Sequence, residues 1–201
     1  MTIVNGYCSL AELKTRLWPS GATADNTDDT VLEQVVTAVS RWIDLYCNTR
    51  FYTTDADEVR YYTAEWEDEL YCDEIVSITK VETDDDGDRT YENEWAATDY
   101  DLWPYNASLD GRSYQSIQIT PESDYGFPTD VKKGVKLTGK FGWSSTPAAV
   151  KEACLLQSER IFMRKEAPFG VMGNADLGEM TLLPRLDVDV EAMLSLYRRL
   201  F

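Results

Sequence analysis

The sequence predicts an α+β protein: a small helical bundle interrupted by an inserted acidic antiparallel β module. Two patterns at helical spacing flank a middle stretch of short, β-branched and aromatic runs, which marks a change of element type inside one chain. The charge changes with it. The formal net charge is -17, but residues 55–130 hold 22 Asp and Glu against four Arg and Lys, whereas the flanks together hold 14 acidic and 15 basic residues. The expected division is therefore 1–50 with 144–201 as a helical core, and 51–143 as the β module.

Ser9-Leu-Ala-Glu12 fits a capping box, in which the serine hydroxyl takes a free backbone amide and the glutamate reaches back, so a short helix is expected to about Leu17. Trp18-Pro19-Ser20-Gly21 ends it. A second cap pattern at Thr30-Val-Leu-Glu33 opens a longer helix, whose Leu32, Val35, Val36, Val39, Trp42, Ile43 and Tyr46 recur every three or four positions on one face. Strands are expected at Val59–Thr63, Ile75–Val81, Tyr100–Trp103, Ser116–Thr120 and Gly134–Phe141, separated by turn signals at Asp86-Gly87, Asp110-Gly111 and Tyr125-Gly-Phe-Pro128. Thr146-Pro147 reopens helix, with a capping hydroxyl before proline at the first helical position. The segment to Lys165 carries three apolar stripes: Val150, Cys154 and Ile161; Leu155 and Phe162; Leu156 and Met163. Such a helix needs several partners, within its own domain or from a neighbouring subunit. A Gly-rich passage, Ala167 to Gly178, reads as a loop or extended arm. The end, Asp187 to Phe201, reads as a helix with acids first and arginines last, as the helix dipole prefers.

Composition excludes several chemistries. The chain has no histidine, which removes the commonest general base near neutral pH and the commonest metal ligand. Cys8, Cys47, Cys72 and Cys154 form no CxxC pair, and three of the four follow a tyrosine (Tyr7-Cys8, Tyr46-Cys47, Tyr71-Cys72), so they read as reduced core side chains. No apolar run of membrane-spanning length and no signal-peptide pattern is present, so a soluble protein made in a cytoplasm is expected, with no membrane partner. With basic residues sparse in its acidic middle, the chain is expected to hold no nucleic acid tightly.

Three local patterns invite a site. Asp84-Asp-Asp-Gly-Asp88 resembles a calcium loop, but with Gly87 at the sixth position Asn93 falls where the closing glutamate belongs, so a hairpin turn bearing solvated acids is expected and no metal or cofactor. Glu65-Trp-Glu-Asp-Glu69 and Glu92-Asn-Glu-Trp95 set carboxylates beside aromatics, as a glycosidase does, yet nothing in their spacing faces two carboxyls across one cleft. Gly170–Gly173 and Ala175–Gly178 lack the Gly-Lys-Ser/Thr ending of a phosphate loop. The reading is not an enzyme; the alternative is a stand-alone acidic binding module or a carboxylate-based, glycosidase-like enzyme.

Ser9-Leu-Ala-Glu-Leu-Lys14, Ala38-Val-Ser-Arg-Trp-Ile-Asp-Leu-Tyr-Cys-Asn-Thr-Arg-Phe-Tyr52, Pro147-Ala-Ala-Val-Lys-Glu-Ala-Cys-Leu-Leu-Gln157, Arg160-Ile-Phe-Met-Arg-Lys165, the passage from Gly170 to Leu186 and Tyr197-Arg-Arg199 together resemble the head-to-tail connector, or adaptor, proteins of tailed bacteriophages. Shorter members of that family are mostly helical, so the β module is a departure. The resemblance implies a structural virion protein of the neck, assembled in the host bacterial cytoplasm as a dodecameric ring under the portal protein. Its expected partners are portal, neighbouring copies of itself and a tail-completion or stopper protein, with DNA crossing the channel. The candidate partner-binding residues are Val190, Met193, Leu194, Tyr197, Leu200, Phe201, Leu156 and Met163: the first six form an apolar set at helical spacing after a Gly-rich stretch, as an assembly helix would.

Overall fold

The computed structural model describes residues 3–19, 26–164, 171–174, 178–181 and 186–199. The chain forms two compact units, Met1–Thr49 with Thr146–Phe201 and Arg50–Ser145. The α+β class is as expected: four helices and a six-stranded antiparallel sheet among the described residues. No helix among them is long and apolar enough to cross a membrane.

In the first unit, α1 (Leu10–Leu17) starts on the expected capping box, with the Glu12 amide donating to Ser9 Oγ at 3.2 Å and the Ser9 amide to Glu12 Oε2 at 2.9 Å. α2 (Asp29–Cys47) begins earlier than the Thr30 pattern predicted, with Asp28 as its N-cap residue. Thr30 lies inside the helix. The predicted face is the right one: Leu32, Val36, Val39 and Ile43 are fully buried, and Ser40 and Cys47 join them. Asn48 closes the helix in the left-handed conformation, which asparagine tolerates better than most residues.

α3 (Ala148–Met163) is the centre of this unit and packs against α1, α2 and α4 (Val188–Ser195). Pro147 occupies the N-cap position, not the first helical turn, so the helix starts one residue later than Thr146-Pro147 implied. The three-stripe expectation is also corrected. Val150, Ala153, Cys154, Gln157, Ser158 and Phe162 are buried, while Ile161 and Met163 are exposed. Small and polar residues fill this face because three helices crowd onto it and bulky side chains would hold them apart. Arg16 on α1 bridges Glu152 and Glu159 on α3, each at 2.7 Å. In the Gly-rich passage the expected loop contains a short antiparallel pair, β7 (Val171–Asn174) with β8 (Gly178–Thr181).

The second unit is a sheet in the order β1 (Glu58–Tyr62), β6 (Val135–Phe141), β2 (Glu69–Thr83), β5 (Tyr114–Ile119) and β4 (Tyr100–Trp103), with β3 (Asn93–Glu94) paired to the end of β2. β2 starts six residues before the predicted Ile75. Its early part alternates, with Leu70 and Cys72 buried and Tyr71 and Asp73 exposed, so acids and core residues share one strand. Leu70, Ile75, Val81, Ile117, Val135, Leu137 and Phe141 form the core with Trp95 and Phe127, whose rings stack at 4.7 Å. Gly139 sits where β6 meets the irregular stretch of β2; a Cβ there would lie 2.2 Å from the Ser77 carbonyl oxygen and 3.0 Å from Ile78 Cα.

Two predictions follow from these contacts. Gly139→Ala is expected to cost about 1–3 kcal/mol or more, because the obstacle is backbone that cannot swing away; chemical denaturation of the two proteins checks this. The hydrogen bond from Lys151, aided by the Ser9 amide, holds the Glu12 carboxyl down at about 2, against an ordinary 4.5. Its stabilisation is therefore complete above about pH 4.5 and lost as the pH falls toward 2. Glu12→Gln should melt with a shallower dependence on pH than the parent across that window and at a similar offset above it.

Candidate functional site

The candidate assembly surface lies on α3 and α4. Asp187 caps α4, accepting the Asp189 amide at 2.9 Å, and also receives Arg160 of α3 at 3.0 Å. At the other end the Arg199 amide donates to the Cys47 carbonyl at 2.8 Å, and the Arg198 guanidinium lies over the Tyr46 ring at 5.6 Å. The helix is thus tied to α3 and to the end of α2 from both termini.

This attachment corrects part of the expectation. Val190 and Leu194 are completely buried, so they belong to the core of their own unit and present nothing to a partner. Met193, Tyr197 and Leu156 are half-buried, and Met163 is exposed. Leu200 and Phe201 lie outside the described residues. Two residues that the sequence reading passed over, Val188 at 76% and the C-cap residue Leu196 at 87% exposure, are the most open apolar side chains of α4 and its cap. Their signal was present: each falls off the Val190–Leu194 stripe, so once that stripe is turned inward they must face out.

The other sequence patterns resolve into structural roles. Asp84 is fully buried and accepts the Gly87 amide at 2.7 Å and the Arg89 amide at 2.9 Å, while Asp86 and Asp88 accept the amides of Asp88 and Thr90. The three carboxylates lie within 4.8 Å of one another, and each already satisfies turn backbone, as Asp does in turns. Glu94 pairs with Lys80 at 2.8 Å, and Glu69 accepts Ser116 Oγ at 2.7 Å and Gln118 Nε2 at 3.1 Å. Trp95 is no sugar platform: it is buried, and its indole nitrogen donates to Thr83 Oγ1 at 3.3 Å. All four cysteines are buried thiols. Cys8 and Cys154 approach to 3.5 Å, and their shared hydrogen bond together with burial pushes the Cys8 thiol far up, which keeps it protonated and a poor nucleophile.

No family model matches the sequence, and no curated protein matches it. Two solved structures share its fold along the whole chain. A chain in the neck of an empty gene transfer agent (GTA) particle, computed with C6 symmetry, is 16% identical, with a TM-score of 0.58 over 100% of this chain and 94% of that one. A chain in the virion of a native GTA particle matches with the same identity, score and coverage. The helical core and the sheet are therefore one shared architecture, and this chain has the fold of a component of those particles.

The inward and outward sides of α4 are separable by mutation. Leu194→Ala should destabilise the protein by about 2–5 kcal/mol, the range for emptying a buried leucine site. Leu196→Ser should leave stability within about 0.5 kcal/mol. Urea melts of the two variants check both; equal effects would mean that α4 does not pack as described.

Proposed function

We propose that the chain is a structural neck subunit of a phage-like particle, a head-to-tail adaptor that forms a ring between portal and tail. The observation that carries this reading is the full-length match in fold to the GTA neck chain, which spans both the helical unit and the sheet unit. It converges with the resemblance of the helical segments to phage connector proteins, which rests on different information. A neck computed with C6 symmetry is compatible with rings whose copy number is a multiple of six, and a dodecamer under the portal is one of these.

In this reading Leu156, Met163, Met193 and Tyr197, with Val188 and Leu196 added and Val190 and Leu194 withdrawn, form the surface that meets portal or a neighbouring copy. Its side chains are apolar and partly open in the single chain, and covering them would supply the hydrophobic part of an interface. The acid-rich composition suits a wall past which DNA moves, since few cations are offered to its phosphates. The role is mechanical and needs no catalytic residue.

The test is to mix the purified protein with the portal protein of the same phage-like particle and examine the particles by electron microscopy. Rings seated on portal, abolished by Met163→Ser with Leu196→Ser at unchanged melting temperature, are the expected result. A protein that stays monomeric and leaves portal rings bare would overturn the proposal.

A further inference from the structure

We infer that the outer face of β2, β5 and β4 is a docking surface for an extended, Arg- or Lys-rich polypeptide segment. The face is defined by register. Tyr71 on β2 pairs with Ser116 on β5, which pairs with Trp103 on β4; one step along, Glu69, Gln118 and Asp101 form the next row. Residues directly opposite in a sheet share a face, and the intervening positions Leu70, Ile117 and Leu102 point into the core. This face is the side turned away from it.

The outer rows are built from aromatic rings and carboxylates. Trp66 packs edge-to-face on Tyr71 at 5.7 Å and 70°, and Tyr105 on Trp103 at 4.9 Å and 89°. All four rings are substantially open: Trp66 51%, Tyr71 59%, Trp103 42% and Tyr105 57%. Tyr105 is anchored from below, donating to Gln118 Oε1 at 3.0 Å, while Gln118 Nε2 and Ser116 Oγ both donate to Glu69. Four large rings gathered in two pairs and open to water on one sheet face are a costly arrangement for a face with no partner.

Charge selects the occupant. Glu69 and Asp101 share the face with Tyr71 and Trp103, Glu65 and Glu67 flank Trp66 in the chain, and segments 63–73, 101–105 and 116–118 contain no Lys or Arg; Asp73, further along β2, is already paired with Arg60 at 2.8 Å. The Glu69 charge, with its hydrogen bond, pushes the Tyr71 phenol above its ordinary value, as negative potential should. A guanidinium or ammonium over an exposed ring face gains from the ring quadrupole and from the neighbouring carboxylates together. An oligosaccharide fits less well, because edge-to-face pairs offer no continuous flat plate and carboxylates at this density favour a cation.

Spacing selects the form of the segment. Tyr71 and Trp103 are two strand spacings apart, roughly 10 Å, with the small, buried Ser116 between them. A polyproline-type segment places residues i and i+3 on one side about 9 Å apart, so basic residues three apart would reach both ring pairs. The inference rests on the sheet's own geometry and holds whether or not the chain belongs to a neck.

The experiment uses the full chain and follows tryptophan fluorescence while a twelve-residue peptide of four Arg-Pro-Pro repeats is added. A Glu-Pro-Pro peptide and a chitin-type oligosaccharide are run in parallel. Saturable binding of the arginine peptide is expected, weakened about tenfold or more by Tyr71→Ala with Trp103→Ala and severalfold by Glu69→Gln with Asp101→Asn. Asp85→Asn with Glu92→Gln, which removes equal charge beyond the far end of β2, should change it less than twofold. Circular dichroism of each variant separates lost binding from lost fold, and the charge pair, which keeps every ring, stands as the test if the aromatic pair unfolds. Equal binding by the aromatic variant would reduce the effect to diffuse charge and overturn the inference. Saturation by the oligosaccharide alone, or no binding by the arginine peptide, would overturn it as well.

Discussion

The sheet unit depends on a hand-over within one strand. The first part of β2 pairs with β5 and the later part with β6, and Ile75, fully buried, is matched to Tyr114 on one side and Phe141 on the other. The register shifts on both ladders beside this residue, which bends the strand and lets one segment serve two neighbours. Because side chains alternate along a strand, a slip of one residue here would drive Glu69, Tyr71 and Asp73 inward and expel Leu70 and Cys72. Part of the acidity of this region is tolerated through that alternation: Glu69 and Asp73 fall on the side away from Leu70 and Cys72, and some carboxylates are matched across strands, as in Glu82 with Lys136 at 2.9 Å and Asp73 with Arg60 at 2.8 Å, while Glu74 is buried.

The sequence revealed most where local rules decide the outcome. The Ser9 and Glu12 capping box and the Leu32–Ile43 face needed only spacing, and both stand in the structure. The strand at Tyr100–Trp103 was read with its true limits. Tertiary packing decided the rest. No strand was predicted over Glu69–Glu74, where the apolar core residues Leu70 and Cys72 are separated by Tyr71 and flanked by acids. β3 is two residues long and leaves no periodic trace. The β7–β8 pair lay within a passage whose glycines signalled only a loop. The apolar stripe of α4 was legible, but an amphipathic pattern does not say whose surface it covers, and the burial of Val190 and Leu194 assigns it to its own unit. The outer aromatic rows were invisible for a related reason: Tyr71, Trp103 and Ser116 are far apart in sequence and become neighbours only through register.

A likeness in fold at 16% identity over the whole length implies that few particular side chains are needed for this architecture. What must be kept is hydrophobic pattern, cap and turn chemistry, and space at a few crowded points such as Gly139. That leaves the outward positions free to diverge, and the open residues of α4 and the rings of the sheet are outward positions.

The sheet unit also holds its own two ends together. The Thr54 amide donates to the Phe141 carbonyl at 3.0 Å, the Phe141 amide returns to Thr54 Oγ1 at 3.2 Å, and the Phe51 and Trp143 rings meet at 5.4 Å. Gly142, with φ of +104°, passes so near Tyr52 that a Cβ would fall 1.9 Å from its carbonyl oxygen. The chain that leaves the helices after α2 is thereby brought back to its starting point before α3 begins. For the helical core, a long excursion behaves as a short link once the sheet has formed, and the entropy of closing so large a loop is borne by the sheet's folding. During synthesis α3, which packs on α2, emerges only after the whole insert, so a quickly folding insert would shorten the wait and make the two halves of the bundle act as though they were contiguous.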